Sequence, residues 1–151
     1  MKSARLAFSC YLNRLGRSVM LILLRNFLIT LVSFFAVDIL WLGLVARTFY
    51  RNQIGFLLAP RTNWLAAGLF YLFYLVGLSY FVLYPALAQG SWQAVLLNGC
   101  IFGFMAYMTY DLTNLATLKD WPALLAVVDI AWGTVLTGVT ALLSYWVIGL
   151  F

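Results

Sequence analysis

The sequence predicts an all-α integral membrane protein, a bundle of four transmembrane helices, and three observations predict it. Charged residues make up only 9% of the 151 residues and hydrophobic ones 66%. Soluble domains carry roughly 25% and 45–50%, so this chain lacks the polar surface to meet water on every side. Long apolar runs recur four times, each sufficient for a hydrocarbon core ~30 Å thick at a rise of ~1.5 Å per residue. No segment alternates polar and apolar residues as a membrane barrel would. Four spans with short connections use up the length, so no soluble domain is expected.

The first run is Phe27 to Ala46, opened by Arg25-Asn26 and closed by Arg47. The second is Leu65 to Tyr84, between Asn63-Trp64 and Pro85. The third covers about 94–118 and contains Asp111; the fourth begins at Pro122, a favourable first helical position, and continues to about 147. Residues 25–151 therefore read as a four-helix transmembrane domain. The first 24 residues read as an N-terminal extension, either an interfacial amphipathic helix or a stretch upstream of a start at Met20.

Between the spans, residues 47–63 carry Arg47, Arg51 and Arg61, whereas residues 85–93 carry no charge, and Lys119-Asp120-Trp121 makes a tight third connection. Trp64, Trp92, Trp121 and Trp146 lie near span ends, where an indole anchors at the lipid interface. The net charge of +5 comes largely from juxtamembrane arginines, which suit anionic headgroups. Arg47, Arg51 and Arg61 are the candidate headgroup-facing cations. No basic and aromatic surface module exists to bind nucleic acid. Cys10 and Cys100 form no metal or redox motif, and no cofactor motif is evident. The count of basic residues, five on the side of the termini (Lys2, Arg5, Arg14, Arg17, Arg25) against four on the other, does not orient the bundle.

Chemistry concentrates in three aspartates within the spans, Asp38, Asp111 and Asp129. An Asp at mid-span costs roughly 2.5–3.5 kcal/mol on insertion scales, so such residues face the bundle interior and serve a function by default. At ~1.5 Å per residue, Asp38 lies roughly 12 Å below the face carrying the first and third connections, and Asp111 and Asp129 roughly 10 Å below it. The three carboxyls are expected in one layer beneath a polar vestibule. Val37-Asp38-Ile39-Leu40-Trp41 and Val128-Asp129-Ile130-Ala131-Trp132 share a V-D-I-x-W pattern, with Gly43 and Gly133 after it. Asp and Trp three apart share a helix face, where an indole N–H can meet a carboxylate. In antiparallel spans the pattern reads as a diverged inverted repeat or as two independent packing pairs.

In the third span Tyr107, Asp111 and Asn114 form a stripe at i, i+4 and i+7, with Tyr110, Thr113 and Thr117 beside it. The stripe reads as a ligand site or as a hydrogen-bonded network joining helices. Gly99 and Gly103 make a G-x-x-x-G for close helix approach. Tyr71, Tyr74 and Tyr80 in the second span either close the vestibule or donate between helices.

On Asp38-Ile39-Leu40-Trp41-Leu42-Gly43, Asn63-Trp64-Leu65-Ala66, Tyr110-Asp111-Leu112-Thr113-Asn114-Leu115-Ala116-Thr117-Leu118, Trp121-Pro122 and Val128-Asp129-Ile130-Ala131-Trp132-Gly133, the chain from Phe27 onward resembles an uncharacterised bacterial family of membrane proteins, domain of unknown function 2177. The resemblance implies a four-span unit in a bacterial inner membrane and brings no activity with it. The first 24 residues depart from the family pattern.

These features point first to a small transporter or ligand-binding protein whose aspartate cluster takes a cation, a proton or an amine. A membrane-embedded enzyme acting on a lipid or isoprenoid and a structural or accessory subunit are the alternatives. No residue is assigned a catalytic role. The ligand candidates are Asp38, Trp41, Tyr107, Tyr110, Asp111, Asn114, Asp129 and Trp132; a metal, if held, falls to the three aspartates as a hard cation. The bilayer is the expected partner, and a homo-oligomer suits so narrow a bundle.

Overall fold

The computed structural model describes the backbone of residues 2–151 and the side chains of residues 16–43 and 46–151. Helix α1 (Lys2–Trp41) passes through a π-helical turn, Leu42–Ala46, into the short α2 (Arg47–Ile54). Helix α3 (Trp64–Leu78) passes through a second π turn, Ser79–Leu83, into α4 (Tyr84–Gln89). Two uninterrupted helices follow, α5 (Trp92–Thr117) and α6 (Ala123–Ile148). Among the described residues there is no strand.

Among the described residues four stretches are long and apolar enough to cross a membrane: Gly16–Trp41, Trp64–Gln89, Trp92–Thr117 and Ala123–Ile148, each of 26 residues. At ~1.5 Å per residue each exceeds a ~30 Å hydrocarbon core, so the helices tilt or reach into the headgroup region. Their outward faces are apolar: Val32, Leu65, Phe73 and Val127 are all exposed in the isolated chain, as lipid-facing residues must be.

Local chemistry sets the helix ends. Asn63 and Ser91 cap α3 and α5 by accepting from the backbone N–H groups of Ala66 and Ala94 at 3.1 and 3.2 Å. Gly90 closes α4 in the left-handed region at φ 65°. Pro85 was expected to close the second span, yet the helix runs through it. The preceding π turn explains this, because the Tyr84 N–H reaches back five residues to the Ser79 carbonyl and the wider turn makes room for the proline ring.

α6 is the centre of the bundle, packed along α5 on one side and α1 on the other. The α5–α6 crossing is closest at Gly99 and Gly103. A Cβ at Gly103 would collide with the Gly133 carbonyl and Thr137, and one at Gly99 would lie 3.0 Å from the Ala141 Cβ. The G-x-x-x-G thus lets the two backbones approach. The apolar core, with Phe34, Leu75, Leu78, Val95 and Leu136, fills the space between α1, α3, α5 and α6.

Two expectations need correcting. Trp121 is only 8% exposed and packs edge-on against Tyr110, so it is a buried side chain and no interface anchor. Thr109, Thr113 and Thr117 sit on an exposed face of α5 and donate to carbonyls of their own helix. They join no helices, because back-bonding satisfies a hydroxyl that faces lipid.

Candidate functional site

Because α1 and α6 run in opposite directions, their two V-D-I-x-W segments meet face to face. The Trp41 and Trp132 rings stack, with centroids 4.5 Å apart and planes within 10°. Trp132 is placed to hydrogen-bond the Asp38 carboxyl. The pairing of acid and indole therefore crosses between helices, since the stack carries Trp132 over the opposite segment. Tyr50, on α2, donates its hydroxyl to Asp129 Oδ1 and lies beside the Trp41 indole. Burial first, and the Asp129 carboxylate next, hold the Tyr50 phenol far above its ordinary range, so it retains the proton it donates.

Two adjoining cavities open on these carboxyls. One, of about 160 Å³, is lined by Asp38 with Phe34, Trp41, Tyr50, Tyr71 and Trp132 among its walls. The other, of about 290 Å³, is lined by Asp129 with Tyr74, Ala106 and Tyr110. Phe70 and Tyr107 line both and form the partition. Tyr107 owes its seat to Gly133, where any Cβ would collide with its ring. Tyr74 is anchored by donating to Thr137 Oγ1 at 2.6 Å, and Thr137 in turn donates to the Gly133 carbonyl at 2.6 Å.

The remaining candidates separate. Asp111 is fully buried, and its two oxygens have no hydrogen-bond partner among the described residues. It lines neither cavity, although it lies near enough for its charge to act on Asp129 and Tyr50. Asn114 is half-buried and placed to hydrogen-bond the Tyr110 hydroxyl. The three stripe positions Tyr107, Asp111 and Asn114 fan over ~60° of arc at 3.6 residues per turn, enough to send one to the cavities, one into the closed packing and one to the rim. Among the described residues no three acidic, His or Cys groups converge as a metal-holding set. Arg47 and Arg51 line a groove on the outer side of α2, which Arg61 does not reach. Tyr80 is 66% exposed and faces outward.

A family model described as "Predicted membrane protein (DUF2177)" matches residues 23–146. The chain belongs to that family. No curated protein and no solved structure matches it. The DUF2177 match spans every residue that lines the two cavities, so the aromatic and acidic site lies wholly within the family region. Sequence reasoning passed over Tyr50 and Phe70. Tyr50 sits between Arg47 and Arg51 in what read as a polar connection. Its one signal is the spacing Arg47, Tyr50, Arg51, Ile54, the face of a short amphipathic helix. Phe70 stands in an apolar run and carries no signal at all.

Proposed function

We propose that this multi-pass membrane protein is a small transporter or ligand-binding protein of the bacterial inner membrane, and that Asp38 and Asp129 hold an organic cation of the ammonium class. The observation that carries the reading is the pairing of one carboxyl with each of two adjoining aromatic cavities. Indole and phenol faces attract a desolvated cation, by ~2 kcal/mol or more each in favourable cases, and a carboxylate supplies the counter-charge. A calcium ion takes six to eight oxygen ligands, more than one carboxyl in each aromatic cavity provides. Tyr50 donates to the Asp129 carboxyl and Trp132 lies within reach of the Asp38 carboxyl, which leaves acceptor capacity on both for a ligand. A homodimer would supply a second wall to so narrow a path.

The test is titration of tetramethylammonium into the protein held in phosphatidylglycerol nanodiscs, followed by quenching of Trp fluorescence. Asp38→Asn and Asp129→Asn are each expected to weaken binding about tenfold, the loss of one charge-assisted contact. Asp120→Asn, in the exposed third connection, should leave it unchanged. Absence of quenching in the native protein, or native affinity in the double Asp38→Asn/Asp129→Asn variant, sinks the reading in favour of a purely structural role. Flux of the same cation in proteoliposomes then separates transport from binding.

A further inference from the structure

The groove beside α2 and the Asp38 cavity share a wall, made by Leu42 and Tyr50. The geometry points to a zwitterionic aminophospholipid as the ligand, its phosphate held by Arg47 and Arg51 and its ammonium directed past Tyr50 to Asp38. This rests on the ammonium reading above and deepens it by naming the molecule that carries the ammonium.

The groove is open and about 780 Å³ in volume. Arg47 and Arg51 stand one turn apart on one helix face, and neither has a hydrogen-bond or ion-pair partner among the described residues. Two unpaired guanidiniums at the end of a membrane span suit a phosphate, which they bind through paired N–H groups. The Thr62 hydroxyl and Trp64 indole line the same groove. Its apolar side is made by Ile39, Leu42 and Leu58, all exposed in the isolated chain, a surface for acyl chains that a free phosphate would not use.

The charge order then selects the headgroup. Cations stand outside, at the level of a phosphate, and a carboxylate stands deeper inside an aromatic cavity. Asp38 and Arg47 are nine residues apart through the π turn, at most roughly 13 Å along the axis at ~1.5 Å per residue. The arginine stem, the phosphate-to-nitrogen span of the headgroup and the carboxyl together cover that distance. At about 160 Å³ the inner cavity is smaller than the ~300–1,000 Å³ pockets that take drug-sized ligands. Its size and its one carboxyl among aromatic walls suit an ammonium group better than acyl chains. An anionic lipid such as phosphatidylglycerol satisfies the arginines but brings no positive charge to Asp38.

The experiment offers the purified full chain an equimolar mixture of phosphatidylethanolamine and phosphatidylglycerol and counts retained lipids by native mass spectrometry, with tetramethylammonium quenching measured on the same preparations. Phosphatidylethanolamine should be retained about tenfold in preference. Arg47→Gln/Arg51→Gln should abolish that retention and leave tetramethylammonium quenching at its native value, whereas Asp38→Asn should weaken both. Both arginines are exposed, and the comparison of lipids on the native protein needs no variant. Equal retention of the two lipids with tetramethylammonium still bound overturns this inference alone and marks an ordinary annular site. Loss of both signals in the native protein overturns the ammonium reading with it. Soluble phosphoethanolamine binding as tightly as the lipid overturns the role given to the acyl chains.

Discussion

Gly43 and Gly133 occupy the same place after matching V-D-I-x-W segments, but their surroundings are opposite. A Cβ at Gly43 meets nothing within 4 Å, whereas one at Gly133 collides with the Tyr107 ring that divides the two cavities. Gly133→Ala is therefore expected to destabilise the protein by about 1–3 kcal/mol, as overpacking does, and to weaken ammonium binding by displacing Tyr107. Gly43→Ala should stay within about 0.5 kcal/mol of the native protein. Thermal unfolding in detergent checks both, and equal effects would show that Gly133 does not set the position of Tyr107. The sequence displays the two glycines as equivalents because it records their neighbours along the chain. Which of them faces a ring depends on the α5–α6 crossing, and no spacing rule carries that. The same reason separates the aspartates: all three read alike as intramembrane acids, yet Asp38 and Asp129 line cavities while Asp111 is closed in without a partner among the described residues.

Among the elements, the long apolar helices were legible because lipid imposes length and composition together. The π turns were not. One extra residue per turn changes no composition, and it shifts the phase of everything after it. That shift lies between Trp41 and Tyr50, so the short helix bringing Tyr50 to Asp129 read as a polar connection. Contacts between elements show a comparable asymmetry at Tyr74 and Thr137, which tie α3 to α6. Thr137 donates its one proton to the Gly133 carbonyl and accepts from Tyr74. Tyr74→Phe removes a donor and leaves Thr137 with its own bond intact, so it should cost ~1 kcal/mol. Thr137→Val strands a buried Tyr74 hydroxyl and frees the Gly133 carbonyl from its extra donor, and the larger desolvation penalty of ~1–3 kcal/mol applies. Unfolding midpoints of the two variants test the direction. A Tyr74→Phe variant less stable than Thr137→Val would mean that the tyrosine hydroxyl has another partner.

At the scale of the whole molecule, the four-span order determines which connections share a face. Arg25, in the N-terminal half of the first span, lies over the ring of Phe151, the last residue, at 5.7 Å. Both ends of the bundle sequence therefore meet on one side, and the connections carrying Asn52 and Lys119 lie on the other with the α2 groove. By sequence position the basic residues divide five against four between the N-terminal segment and the first and third connections, too even for the positive-inside preference to choose an orientation, but the pairing of sides does not depend on that choice. With Cys10 and Cys100 replaced by alanine, single cysteines at the exposed positions Asn52, Gln89 and Lys119 report the arrangement through a membrane-impermeant maleimide. Asn52→Cys and Lys119→Cys should label together from one side, and Gln89→Cys only from the opposite side. The side that labels Asn52 also identifies the leaflet to which the arginine groove opens, and hence the lipid pool from which a headgroup reaches Asp38. Labelling of Asn52→Cys and Gln89→Cys from the same side would break the four-span order and, with it, the juxtaposition of α1 and α6 on which both cavities depend.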